Sequence, residues 1–188
     1  MSRLSGPEWC AEFPTSVSVD DLAEPLRESV KRFIDALQAA GAKVDIAATY
    51  RPPERAYLMH YAAMIAKAGQ DPVAIPAIAG VDIDWVHRDA QGNMDVAATR
   101  FAAQQMVTGY GIEYPPALIS RHTQRLAIDM DIAWDSDVLR VKDGRGNPVT
   151  ISVVPKDGAH NWAVHQLGKT YGVIKLLSDP PHWSSDGH

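Results

Sequence analysis

The sequence has little cysteine, no cluster of basic residues and no long apolar stretch. Its single cysteine, Cys10, cannot form an internal disulfide, so the fold does not depend on an oxidising compartment. The formal net charge is -5 at pH 7, without a run of Lys or Arg. A nucleic-acid partner is therefore not expected, because nucleic-acid-binding proteins neutralise phosphates with clustered cations.

The sequence also lacks the marks of membrane insertion or of Sec export. No stretch approaches the roughly 18 apolar residues of a membrane span, and the first residues, MSRLSGPEWCAEFPTSV, have no signal-peptide core. We therefore expect no membrane span and synthesis in the cytoplasm without an N-terminal signal peptide. A protein of this kind that acts outside the cytoplasm must be released or secreted by another route.

The 188 residues match one ordinary domain, and their periodicity mixes helix and strand without repeats. We predict one domain over 1–188, with long excursions at 71–94 and 138–154. Helices are predicted over about 21–40, 53–69, 95–108 and 159–171, and strands over about 43–50, 127–134 and 173–177. A hairpin is predicted around 143–147, and Asp21 with Glu24 resembles a capping box at the first helix.

Near the end of the sequence, two prolines separate an acid from an imidazole in Ser178-Asp-Pro-Pro-His-Trp183. A Pro-Pro pair favours the extended polyproline conformation, with about three residues per turn, so Asp179 and His182 should point to one side. Two interpretations are open. The segment is either a turn that caps itself, or a metal ligand with an acid beside a metal-bound water.

A second group of candidates lies around the predicted strand at 127–134. Asp129 stands between two apolar neighbours, where a carboxylate is costly unless it is solvated, paired or metal-bound. With His122 and His182 it would make a zinc site of two imidazoles and one carboxylate, with a fourth position open to water. Spacing alone only suggests this site, and Asp131 on the same strand face could be the ligand instead.

Three segments place these candidates in longer motifs: Thr49-Tyr-Arg-Pro52, Ser120-Arg-His-Thr-Gln-Arg-Leu-Ala-Ile-Asp129 and Asp179-Pro-Pro-His-Trp183. In this order they resemble the YR segment, the SxHxxGxAxD motif and the closing (E/D)xxH(W/F) motif of the zinc D-Ala-D-Ala metallopeptidases. This is the LAS family of peptidoglycan peptidases. The resemblance spans about 45–183 without the two excursions. Arg125 stands at the motif glycine, and Ser184 follows Trp183 where the family often has Glu.

The resemblance implies an α+β fold of the Hedgehog/DD-peptidase type, a single domain with a small antiparallel sheet and flanking helices. It also implies Zn²⁺ as cofactor and a role for each matching residue. The zinc ligands would be His122, Asp129 and His182, the general base Asp179, the contact to a substrate carbonyl or carboxylate Arg51, and the supporting residues Ser120 and Trp183.

The resemblance implies hydrolysis of the stem peptide of peptidoglycan, by a protein that we expect to be a monomer acting at the cell wall or periplasm. An endopeptidase for the L-Ala-D-Glu bond, of the endolysin or injected-effector kind, is favoured over a D-Ala-D-Ala carboxypeptidase or dipeptidase. An alternative of another class is a zinc-bearing module that binds without hydrolysis, because the same fold family includes such modules.

Overall fold

The computed structural model describes residues 2–188. Four α-helices span Leu26–Ala39 (α1), Pro53–Ala68 (α2), Val96–Tyr110 (α3) and Trp162–Tyr171 (α4). The strands of this part of the chain are Arg3–Leu4 (β1), Lys43–Ala48 (β2), Ile83–Asp84 (β3), Ala127–Ala133 (β4), Leu139–Lys142 (β5), Pro148–Ile151 (β6), Ile174–Lys175 (β7) and His182–Ser184 (β8). Helices combined with mainly antiparallel strand pairs confirm the α+β class.

The chain divides into two compact units, each formed by two stretches of sequence. The first unit contains the residues up to Pro14 together with Pro52–Ser120, and the second contains Thr15–Arg51 together with Arg121–His188. Each unit has its own cluster of buried apolar side chains. The sequence shows no boundary between them, and one domain over 1–188 stays a prediction.

The first unit is built on α2 and α3, which pack against each other. The excursion at 71–94 contains a 3-10 turn, Pro72–Ala74, an isolated antiparallel bridge between Arg88 and Met94, and the short strand β3, which pairs in parallel with β1. Trp85 is buried, and its Nε1–H donates to the Tyr57 hydroxyl at 3.3 Å. This indole therefore anchors the excursion to the core. No helix within 2–188 is long and apolar enough to cross a membrane.

The second unit contains the four-stranded sheet in the order β2-β4-β8-β7, with every neighbouring pair antiparallel. The alternation predicted for β4 is confirmed, because Ile128, Met130 and Ile132 are buried whereas Asp131 is exposed. The buried face packs with side chains of α1 and α4 in one core. The predicted hairpin is also confirmed, as β5 and β6 pair across residues 143–147.

The first predicted helix begins later than expected. Residues Val19–Asp21 form a 3-10 turn, and α1 starts only at Leu26, with Pro25 at its N-cap and no side-chain cap. The capping box predicted from Asp21 and Glu24 is therefore wrong. Proline disfavours the helical conformation of the residue before it, so the helix does not extend back across Glu24.

The last helix, α4, contacts the sheet through a glycine. A Cβ added at Gly168 would lie 2.6 Å from the Val173 carbonyl oxygen and 2.8 Å from Cζ3 of Trp183. The Trp183 side chain is fully buried next to His182 on β8. Close packing of α4 on this indole therefore requires the absence of a side chain at position 168.

We expect Gly168→Ala to lower the free energy of unfolding by roughly 1–3 kcal/mol, because overpacking a tight core costs that much. Urea denaturation followed by circular dichroism measures the change. Gln166→Ala, an exposed position on the same helix, is the control and should change stability by less than about 0.5 kcal/mol. Equal or higher stability of Gly168→Ala would show that helix propensity outweighs the packing contact.

Candidate metal centre

Three side chains predicted as zinc ligands converge in the second unit. The Nε2 of His122 lies 3.1 Å from Oδ1 of Asp129 and 3.1 Å from Nδ1 of His182, and the last two atoms are 3.0 Å apart. The exposed fraction of the side chain is 5% for His122, 18% for Asp129 and 9% for His182. Within residues 2–188, these three form the group of His, Cys, Asp or Glu residues whose ligand atoms lie close enough together to hold a metal ion.

The sheet explains why two of these residues meet. Asp129 on β4 stands directly opposite His182 on β8 in the antiparallel register, which places their Cβ atoms about 5 Å apart. Asp129 also pairs with Ala48 at the end of β2, after an irregularity in that strand pair. Asp131, the alternative ligand, is exposed and faces Asp45 on β2, so it does not join the group.

Backbone oxygens fix the orientation of both imidazoles. The Nδ1–H of His122 donates to the Thr49 carbonyl at 2.9 Å, and the Nε2–H of His182 donates to the His188 backbone oxygen at 3.2 Å. The Ser184 hydroxyl holds His188 in place by accepting a hydrogen bond from its backbone N–H at 3.0 Å. Because a carbonyl only accepts, a neutral imidazole in this orientation turns its lone pair toward Asp129, as a metal ligand must.

The donor set fits a divalent metal ion. Two imidazole lone pairs and a carboxylate oxygen meet at 3.0–3.1 Å, where they repel one another unless a cation or a proton lies among them. A tetrahedral zinc ion with bonds of about 2.0–2.1 Å spaces its ligand atoms about 3.3 Å apart. The three atoms therefore already have nearly the separation that such an ion imposes.

Without a metal ion, the electrostatics of the group favour the charged forms of Asp129 and His182. Burial raises the pKa of Asp129, but hydrogen bonds from His122 and His182 outweigh it and hold the pKa of that carboxyl well below its usual range. Burial lowers the pKa of His182, yet its hydrogen bond to Asp129 and the charge of that carboxylate raise the pKa on balance. Asp129 is therefore ionised and able to bind a cation at neutral pH.

The turn that carries His122 has, at Arg125, the positive φ that glycine adopts most easily. Arg125, at the motif glycine position, has φ 64°, in the left-handed region. Its N–H donates to the His122 carbonyl at 3.2 Å, and its carbonyl accepts from the Ala23 N–H at 2.9 Å. Its guanidinium lies 4.2 Å from the centre of the Tyr50 ring. This cation–π contact and the two hydrogen bonds offset a backbone strain of about 1–2 kcal/mol.

Two substitutions at this position separate backbone strain from the lost ring contact. Both Arg125→Gly and Arg125→Val remove the guanidinium, but only valine, a β-branched residue, strongly resists a positive φ. We expect Arg125→Val to be less stable than Arg125→Gly by roughly 1–2 kcal/mol in urea unfolding. Equal stabilities would mean that residue 125 does not hold the left-handed conformation in solution.

The Asp-Pro-Pro-His segment is a turn rather than an extended polyproline stretch. The His182 N–H donates to the Asp179 carbonyl at 3.1 Å, and the Pro181 carbonyl accepts from the Met130 N–H at 2.9 Å. These hydrogen bonds to the turn and to β4 outweigh the extended preference of the prolines. The segment therefore closes a turn and also brings His182 into the converging group. An acid beside a metal-bound water stays a prediction. Asp179 is exposed, and the charge of its carboxylate contributes to raising the pKa of His182.

The other motif residues lie around the same loop. The Arg51 N–H donates to the His122 carbonyl at 3.3 Å, so the YR segment and the His122 turn are neighbours within the second unit. Trp183 is buried beneath the sheet, with its ring 5.6 Å from Phe33 and 5.7 Å from His165. Its role is therefore packing. Ser120 directly precedes the turn in sequence, and its supporting role stays a prediction.

Sequence reasoning missed three contributors to the site. The backbone oxygens of Thr49 and His188 orient the imidazoles, and Lys175 contacts the loop that carries Asp179. A backbone oxygen gives no residue-type signal, so the first two were not predictable from sequence. A lysine within the apolar run Val173-Ile-Lys-Leu-Leu177 was a usable signal, because a buried ammonium requires acceptors.

No known protein-family model matches the chain, and no curated protein matches it in sequence.

Proposed function

We propose that this chain is a zinc-dependent peptidase that hydrolyses stem-peptide bonds of peptidoglycan. The observation that carries the proposal is the convergence of one carboxylate and two correctly oriented imidazoles within 3.1 Å. Two imidazoles and one carboxylate leave a tetrahedral ion one open position, which is the arrangement of catalytic rather than structural zinc. The motif resemblance supplies the substrate class.

The residues around this group have the chemistry that peptide hydrolysis requires. Zinc held by His122, Asp129 and His182 would supply a Lewis acid and lower the pKa of a bound water toward ~7. The exposed carboxylate of Asp179 would accept the proton from the attacking water and return it to the leaving amine. Arg51 would stabilise the charge that develops on the scissile carbonyl oxygen.

Within this class we propose an endopeptidase for the L-Ala-D-Glu bond, on the analogy with endolysins. A D-Ala-D-Ala carboxypeptidase or dipeptidase would use the same groups, so the reaction products identify the bond that is cut.

A zinc-bearing module without hydrolysis is the candidate of another class. It is favoured by the exposure of Asp179, because a general base is most effective where solvent is excluded.

Digestion of purified peptidoglycan and of synthetic stem peptides tests the proposal. The zinc-loaded protein should release fragments cut between L-Ala and D-Glu, a chelator should stop the release, and added zinc should restore it. Mass spectrometry of the fragments identifies the bond. Release of D-Ala alone would assign the carboxypeptidase, and no cleavage of any stem peptide by the zinc-loaded protein would favour the binding module.

A further inference from the structure

Lys175 has an environment that is unusual for a lysine. It is 5% exposed, on β7 opposite Trp183 of β8. Its Nζ donates to three carbonyl oxygens, those of Leu176, Asp179 and His182, the last at 3.1 Å. All three belong to the loop of residues 176–182. An ammonium group has three N–H bonds, so each of them has an acceptor.

The same three carbonyls also close the backbone of the loop. Leu176 accepts from the Asp179 N–H, Asp179 from the His182 N–H, and His182 from the Leu176 N–H, at 3.1–3.3 Å. Each oxygen therefore uses one lone pair on the backbone and one on the ammonium. Lys175 lies where these backbone hydrogen bonds meet, and it cross-links three points of one short loop.

The sequence of the loop explains why an internal cation is needed there. Residues 180 and 181 are prolines, which have no N–H to donate, so the loop offers more acceptors than backbone donors. Each of the three carbonyls has one backbone donor and a second lone pair free for the ammonium, and a charge-assisted hydrogen bond is about twice as strong as a neutral one. The lysine thus supplies the donors that the two prolines lack.

This loop carries both Asp179 and the candidate ligand His182. We propose that Lys175 is the positioning residue of the metal centre. By binding three carbonyls of the 176–182 loop, it sets the place of His182 Nδ1 and the separation between His182 and Asp179. The inference rests on the proposed function only in taking His182 as a metal ligand. It makes the metal affinity depend on a side chain that touches neither metal nor substrate.

Replacement by an apolar side chain of similar length is the test. We expect Lys175→Met to bind zinc roughly 10–100-fold more weakly than the wild type, as found when partners behind metal ligands are lost. The visible spectrum of the cobalt-substituted protein should also change, because the ligand geometry changes. Lys169→Met, an exposed lysine on α4, removes the same charge and should leave both readouts unchanged.

Zinc affinity within twofold of the wild type, with an unchanged cobalt spectrum, would overturn the proposal. If Lys175→Met does not fold, Lys175→Gln carries the same comparison, since its amide still donates two N–H bonds. Its zinc affinity should be lower than that of the wild type, and an affinity equal to the wild type's would contradict the proposal.

Reductive methylation of the wild-type protein tests the contacts without any substitution. Lys175 should stay unmodified while Lys43, whose side chain is 78% exposed, is methylated quickly. Equal rates at the two lysines would overturn the proposal. Hydrolysis is not a readout in any of these experiments. A protein that cuts no stem peptide would therefore refute the proposed function and leave the role of Lys175 to be decided by metal affinity.

Discussion

Replacing His122 or His182 with alanine should remove zinc binding and, with it, hydrolysis. Each imidazole would supply one of the three proposed protein ligands, and its second nitrogen is already hydrogen-bonded to a backbone oxygen. Loss of a direct ligand should therefore weaken zinc affinity by more than the roughly 10–100-fold measured for partners behind the ligands. Competition with a coloured zinc chelator gives the affinity, and circular dichroism shows whether the variant is folded.

His160→Ala is the matched control. His160 lies in the same unit, its side chain is 69% exposed, and its ring contacts Asp157 rather than the converging group. The variant should bind zinc and cut stem peptides like the wild type. Full zinc affinity in a folded His122→Ala variant would contradict the assignment of the centre. Loss of zinc in all three variants would indicate a metal that is held by surface histidines.

Asp179→Asn should separate metal binding from catalysis. The amide keeps the size of the carboxylate but accepts no proton, so hydrolysis should fall by about 10²–10⁴, the usual contribution of general base catalysis. Zinc affinity should stay within a few-fold of the wild type, because the Asp179 carboxylate lies outside the converging group. Steady-state cleavage of a synthetic stem peptide and zinc competition on the same sample give both values.

Asp35→Asn, an exposed carboxylate on α1, removes the same charge elsewhere in the second unit and should change neither value. Two outcomes would reassign Asp179. Loss of zinc from Asp179→Asn would make this residue a ligand, and unchanged hydrolysis would remove it as the base. The second outcome, in a protein that still binds zinc, would require another proton acceptor.

Much of the second unit could be predicted because its elements carry their own periodicity. The alternation of β4 predicted both its buried face and the position of Asp129, and the cluster around 143–147 predicted the hairpin. The predicted start of α1 was wrong because the prediction gave more weight to the capping pattern of Asp21 and Glu24 than to Pro25, which is the N-cap residue in the structure. The capping pattern and the proline predict different first residues for this helix, and the helix begins directly after the proline.

The three residues that could hold a metal ion were predictable from sequence, but the backbone oxygens that orient them were not. His122, Asp129 and His182 stand out by residue type and motif spacing, and the sheet register brings Asp129 and His182 together. The extended conformation predicted for Pro180 and Pro181 is not adopted, because local preference does not include the hydrogen bond from the Met130 N–H to the Pro181 carbonyl. The carbonyls around Lys175 depend in the same way on contacts that form only in the folded chain.

Zinc-edge X-ray absorption of the protein loaded with one equivalent of zinc tests the metal centre most directly. The expected spectrum shows four light ligands at about 2.0–2.1 Å, with the outer scattering of two imidazoles. In His122→Ala the imidazole scattering should disappear, because zinc is no longer held at the centre. A spectrum of hydrated zinc without imidazole scattering, or one identical in the wild type and His122→Ala, would contradict the centre and the peptidase built on it.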